Sequence, residues 1–159
     1  MKRGRLLHAD LSHAIAMMGH GDYFVVSDAG FPIPLDAWRI DLAIAPNVPD
    51  LYTVLDLVLE DLIVERVLYA KDIEDHNVPL LERLRTTFDG TGAELESVPH
   101  ARMIGEIAKA AKVIVRTGAF NPWGNIALVC GTDPDAWFAM PGTKIPEPYA
   151  RRRAQIRKR

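Results

Sequence analysis

Between Asp10 and Cys130 the chain alternates short, β-prone apolar runs with stretches whose apolar residues recur every three or four positions. A strand buried on both faces needs covering layers and an amphipathic helix must bury one side, so regular alternation leads to helices layered over a sheet. Asp10, as an N-cap before Leu11, Ile15 and Met18, predicts a first helix that Gly19 stops. Tyr23-Phe24-Val25-Val26 reads as a buried strand closed by Ser27-Asp28-Ala29-Gly30. Phe31-Pro32-Ile33-Pro34 reads as a rigid loop, because proline fixes its own φ and extends the residue before it. Arg39 to Ile44 alternates like a strand with one wet face, and Pro49-Asp50 opens a helix through Leu51, Val54, Leu55, Val58 and Leu59. Further strands are expected over 63–70, 93–98, 113–115 and 125–130, and helices over 79–88 and 99–111. The expectation is one α/β domain over residues 1–131, an α/β/α sandwich with a largely parallel sheet. From Thr132 onward the pattern dissolves into Pro134, Pro141, Pro146, Pro148 and a basic end, so residues 132–159 read as an extension of weak intrinsic order.

A length of 159 residues suits one domain. Folding at that size buries about 70% of the surface the unfolded chain exposes, enough for a core without disulfides or a structural metal. No segment approaches ~18 consecutive apolar residues, and the start Met1-Lys2-Arg3-Gly4-Arg5-Leu6-Leu7-His8-Ala9-Asp10 reaches an acid before any signal-peptide run develops. A cytoplasmic protein without membrane attachment is expected, and the single Cys130 suits a reducing compartment. The net charge of −2 conceals an asymmetry, since Arg151 to Arg159 holds six basic groups and no acid. An acidic body argues against nucleic-acid binding, and six cations without a reading module predict a solvated end.

Familiar chemical signatures are missing. Gly19-His20-Gly21 begins like a dinucleotide fingerprint, but Phe24 occupies the last glycine position and the motif precedes a strand instead of following one. No phosphate-binding loop, nucleophile elbow or His-Glu-x-x-His occurs, and the spacings of His8, His13, His20, His76 and His100 match no zinc pattern. His20, between two glycines, suits either an ordinary loop histidine or an unshielded imidazole facing a ligand. Asp28 follows a buried strand at its carboxyl end, where open α/β sheets bind ligands, although capping the Ala29-Gly30 turn would also explain it. Asn121-Pro122-Trp123-Gly124-Asn125 joins an indole to polar donors as a sugar requires, or else packs Trp123 inward. His100 alone reads as a first-turn surface residue, and Cys130, with no basic neighbour in sequence, as a buried inert thiol.

Met18-Gly19-His20-Gly21-Asp22, Ser27-Asp28-Ala29-Gly30-Phe31-Pro32-Ile33-Pro34, Arg39-Ile40-Asp41, His76-Asn77, Thr117-Gly118 and Gly124-Asn125-Ile126 together resemble, in order and spacing, the ribose/fucose mutarotase family. The resemblance spans roughly residues 1–131. Pro32-Ile33-Pro34 and Arg39-Ile40-Asp41 look more like its D-ribose pyranase branch, while Gly19-His20-Gly21-Asp22 and Gly124-Asn125 also suit its fucose branch. It implies an isomerase that interconverts pyranose and furanose ribose by ring opening and closure, with fucose mutarotation or non-catalytic sugar binding as alternatives. It further implies that His20 is the proton-donating catalytic residue and that Asp28, His100, Trp123, Gly124 and Asn125 fall at sugar-binding positions. Asp28 would hold sugar hydroxyls or the imidazole, and neither metal nor cofactor is called for. Trp123 stands where the family commonly has tyrosine, which removes a phenolic hydroxyl and leaves a larger face for stacking. A homo-oligomer, a decamer on the family pattern, with sites at subunit contacts is implied.

Overall fold

A computed structural model describes residues 3–157; the reading of the extreme amino terminus at Met1-Lys2 and the last two cations, Lys158 and Arg159, lies outside the described residues. In chain order the elements are α1 (Ala9–Ala16), β1 (Tyr23–Ser27), β2 (Arg39–Asp41), α2 (Leu51–Leu59), β3 (Val64–Ala70), α3 (Ile73–His76), α4 (Val78–Phe88) and β4 (Glu94–Val98). There follow α5 (His100–Arg102), a π-helical segment (Met103–Ile107), α6 (Ala108–Ala110), β5 (Val113–Arg116), β6 (Ile126–Cys130), α7 (Pro134–Trp137) and α8 (Glu147–Gln155).

The six strands form one sheet in the order β2-β5-β1-β6-β3-β4. Only β6 runs against its neighbours, so the sheet is largely parallel, as the alternation of elements implied. Central strands of such a sheet are covered on both faces and carry uninterrupted apolar sequence. Phe24, Val25 and Val26 of β1 are accordingly all fully buried. Phe24, Val26, Val113, Val115 and Leu128 face α1, α2 and α4, whose Leu11, Leu55 and Leu84 fill that layer. Val25, Ile114, Ala127 and Leu68 face the other way, toward Met103, Ile107 and Phe31.

Several boundaries differ from the sequence reading for local reasons. His8, not Asp10, caps α1: its Nδ1 accepts from the Leu11 N–H at 3.4 Å, and Asp10 lies in the first turn. The helix ends at Ala16, before Gly19. β2 stops at Asp41, because the Asp41 carboxylate accepts the Ala43 N–H at 3.1 Å and Ile44 closes a turn onto the Val48 carbonyl. α2 opens after Pro49-Asp50 as expected, and Asp50 caps it, accepting from the Tyr52 and Thr53 N–H groups at 2.9 and 3.0 Å. The helical stretch after Pro99 is broken by the π segment, a feature that often accompanies functional sites.

The extension from Thr132 onward is more ordered than its prolines suggested, since it carries α7 and α8. Its cations do not form a free solvated tail within the described residues. Arg151 pairs with Glu147 at 2.9 Å, Arg153 with Asp135 at 2.6 Å and Arg157 with Asp89 at 2.9 Å. No helix among the described residues is long and apolar enough to cross a membrane.

Candidate active site

The strand directions sort the expected site residues into two groups. Parallel strands put their carboxyl ends together, so Asp28 after β1, His100 after β4 and Trp123-Gly124-Asn125 before the antiparallel β6 share one end of the sheet. His20 precedes β1 and lies at the opposite end, beside the end of β6 and the start of β3. The backbone from Asp22 to Asp28 is extended, and at ~3.3 Å per residue the two groups stand about 20 Å apart. Asp28 therefore cannot hold the imidazole of its own chain, one of the two roles expected of it.

At the His20 end, Gly21 takes φ +85°, which L side chains rarely adopt, and its N–H donates to the Cys130 carbonyl at 2.8 Å. The bend leaves the imidazole 43% exposed at the wall of a broad hollow. Its Nε2 lies 2.9 Å from Oε2 of Glu65. Glu65 sits against Gly131, where an added Cβ would come within 2.9 Å of the Glu65 Cβ. A carboxylate in that position takes a hydrogen bond from Nε2–H and selects the tautomer whose Nδ1 lone pair is available. Below His20 the turn is held by Lys112, whose ammonium lies 2.5 Å from Asp22, while the Gly19 N–H donates to the same carboxylate at 2.7 Å. These bonds hold the Asp22 carboxyl below its ordinary range. Cys130 is buried, and desolvation pushes its thiol up to about 12, so it is the inert group expected.

At the Asp28 end, one carboxylate oxygen of Asp28 accepts the Gly30 N–H at 2.8 Å, so the turn-capping role is real. Burial nevertheless raises the acid's pKa, opposed by hydrogen bonds from Gly30, Asn125, Gly124 and Phe31. Asn125 is almost wholly buried, and its Oδ1 accepts the Asp28 N–H at 3.3 Å. Gly124 has no room for a side chain, since a Cβ would lie 2.7 Å from the Asn121 carbonyl oxygen. Trp123 adopts φ 55° and is half-buried, neither packed wholly inward nor free. His76 stacks on its indole with centroids 5.4 Å apart and planes 26° from parallel, so one indole face is already covered. His100, half-buried, begins α5 at this same end.

Sequence reasoning missed Glu65 and Tyr149 and gave no role to His76 and Asn77, which it noticed only as one block of the resemblance. Glu65 is 45 residues from His20 and carries no motif. Tyr149, in the extension, brings its ring within 6.2 Å of the imidazole. Asn77 anchors the Trp123 turn by donating to Asn121 Oδ1 at 2.6 Å and to the Pro122 carbonyl at 2.8 Å. No group of three or more His, Cys, Asp or Glu among the described residues could hold a metal ion.

Chemically, the His20 end offers an accessible imidazole for proton transfer, and the Asp28 end offers a desolvated carboxyl, an amide and an indole for binding polyols. The family model described as RbsD / FucU transport protein family matches residues 1–133. D-ribose pyranase 1 of Streptomyces griseus is 52% identical over 150 residues, covering 94% of this chain and 98% of that protein. D-ribose pyranase 2 of Rubrobacter xylanophilus is 51% identical over 149 residues, covering 94% and 96%. Among solved structures, Bacillus subtilis RbsD complexed with D-ribose superposes with TM-score 0.78 at 32% identity, covering 84% of this chain and 99% of that one. The fucose mutarotase of Streptococcus pneumoniae in complex with L-fucose shares the fold, with TM-score 0.70 at 21% identity and 84% and 99% coverage.

Proposed function

The chain belongs to the RbsD / FucU transport protein family, and from that premise we propose that it is an isomerase acting on D-ribose, a pyranase that interconverts the pyranose and furanose rings. Ribose is favoured over fucose because relatives at 52% and 51% identity are D-ribose pyranases, whereas the fucose mutarotase is similar in fold alone.

Ring interconversion opens the hemiacetal, rotates the freed carbonyl and recloses it through another hydroxyl. One proton leaves the anomeric hydroxyl and one reaches the ring oxygen, so a single group able to give and take a proton near neutrality suffices. His20 carries that role, with Glu65 holding Nε2–H so that Nδ1 works on the sugar. Asp28, Asn125 and Gly124 bind hydroxyls, the exposed part of Trp123 meets the sugar's C–H groups, and His100 orients the substrate. Sugar held by Asp28 reaches a His20 only if that imidazole comes from another copy, and the separation of the two groups along β1 is the observation that carries this arrangement. Exposed Ile44 and Phe120, after the carboxyl ends of β2 and β5, supply apolar surface for such a contact. The assembly is accordingly a homo-oligomer, with the ten-copy ring as its proposed size, working in the cytoplasm.

Saturation-transfer NMR of ribose tests the reading. The unaltered chain accelerates exchange between pyranose and furanose signals, and His20→Ala returns it to the uncatalysed rate while melting normally. Full exchange in that variant rules out the donor, and binding without acceleration by the unaltered chain identifies a sugar-binding module instead. A parallel panel with L-fucose ranks the substrates, and mass in solution reports the number of copies.

A further inference from the structure

All but the first two residues of the extension lie beyond the 133 that the family model matches, yet it reaches the hollow beside His20. Tyr149 of α8 presents its ring to the imidazole at 6.2 Å, and Phe138 of the same segment packs edge-on against Tyr149 at 5.2 Å. Arg152, one turn further along α8, donates from Nη1 to the Thr132 carbonyl at 2.5 Å and from Nη2 to the Val64 carbonyl at 3.3 Å. Its guanidinium thus lies beside the backbone that leads into Glu65. The end of the segment is seated on the Gly90-Thr91-Gly92 turn. Arg157 N–H donates to the Gly90 carbonyl at 2.8 Å, and Gly92 leaves room for Ile156 and the Arg152 carbonyl, which would lie 2.7 and 2.9 Å from any Cβ there.

We propose that the carboxyl-terminal extension completes the His20 half of the active site, Tyr149 walling the hollow in which the sugar meets the imidazole and Arg152 acting as a positioning residue for Glu65. The inference rests on His20 as the acid–base group. Tyr149 combines an apolar face with a hydroxyl, the pairing that monosaccharides require. Arg152 holds the Val64 carbonyl next to Glu65, so it fixes the strand that carries the carboxylate meeting the imidazole and places a cation beside it. Nearest His20 stand Glu65 from β3, the Asp22–Lys112 pair beneath its own turn and Tyr149 from α8, while further charged groups of β3, α4, β4 and the extension, Arg152 among them, line the rest of the hollow.

The test compares the full-length unaltered chain with His20→Ala, Tyr149→Ala, Arg152→Met and Arg152→Lys, each measured for ribose exchange, thermal unfolding and NMR titration of the His20 C2–H signal. Tyr149→Ala raises the half-saturating ribose concentration about tenfold and leaves the maximal exchange rate within about twofold, the signature of lost binding. Arg152→Met lowers the maximal rate about tenfold and moves the His20 titration to higher pH by at least about half a unit, and Arg152→Lys restores most of both. Variants that melt like the unaltered chain and keep its rate, half-saturation and titration overturn the proposal. Full exchange in His20→Ala defeats the acid–base reading itself, whereas the titration difference between the unaltered and Arg152→Met chains is read without catalysis. Tyr149 is half-buried, so Tyr149→Ala still decides the matter if Arg152→Met fails to fold.

Discussion

Two variants of this chain, His20→Ala and Asp28→Ala, are each expected to lose at least about tenfold in ribose exchange, because one lacks the proposed proton donor and the other a proposed hydroxyl ligand. Co-expressed in one cell, they should recover part of that loss. Extended backbone at ~3.3 Å per residue sets the two groups about 20 Å apart at opposite ends of β1, beyond the span of any monosaccharide. On the proposed arrangement each working site takes His20 from one copy and Asp28 from its neighbour. With the two chains expressed equally and mixed at random, an intact site needs the Asp28→Ala chain on one side and the His20→Ala chain on the other, a chance of one half in each place. About a quarter of the sites are therefore intact in a symmetric ring. The assay is saturation transfer on purified mixed oligomers carrying a different tag on each chain, with exchange per site expected near a quarter of the unaltered value. Mixed oligomers no more active than the better parent would refute the shared site and require a rearrangement that brings both ends of one β1 to a single sugar.

Asp28 is held partly desolvated, which raises its pKa on folding. An acid shifted upward destabilises the fold once pH exceeds its ordinary range, and the cost vanishes when both states are protonated. Asp28→Asn should match the unaltered chain in melting temperature near pH 3 and exceed it at pH 7, while ribose binding falls; a variant that is less stable at pH 7 contradicts the desolvation argument. Gly124→Ala drives a methyl to within 2.7 Å of the Asn121 carbonyl oxygen. A loss of about 1–3 kcal/mol in denaturant unfolding and weakened ribose binding are expected, and an unchanged midpoint would show that the turn yields freely. Cys130, buried and with its thiol pushed up to about 12, should resist alkylation at pH 8 until the chain is unfolded, which mass spectrometry reads directly.

Much of the candidate site was legible before folding. The glycines around His20 and beside Asn125, and the turn after Asp28, are short-range features whose geometry depends on neighbours in sequence. Even the distance between His20 and Asp28 was latent, because placing a strand over Tyr23–Val26 already put its two flanks at opposite ends. The cap of α1 was misassigned because His8 and Asp10 are both competent acceptors, and the backbone is extended at His8 and already helical at Asp10. The end of β2 was misjudged because the alternation through Ile44 continues past the point where Asp41 turns the backbone.

What the chain's own order of residues determined is the alternation of strand and helix, and with it the layered sheet, because apolar periodicity acts over a few residues and admits few ways of burial. Tertiary structure alone decided that Glu65 meets His20 across 45 positions, that His76 covers one face of Trp123, and that Tyr149 reaches the imidazole from the extension. Such meetings depend on strand order and on how α8 docks. Those are properties of the assembled surface, in which many weak contacts over the whole molecule are summed before any one pair of side chains is brought together.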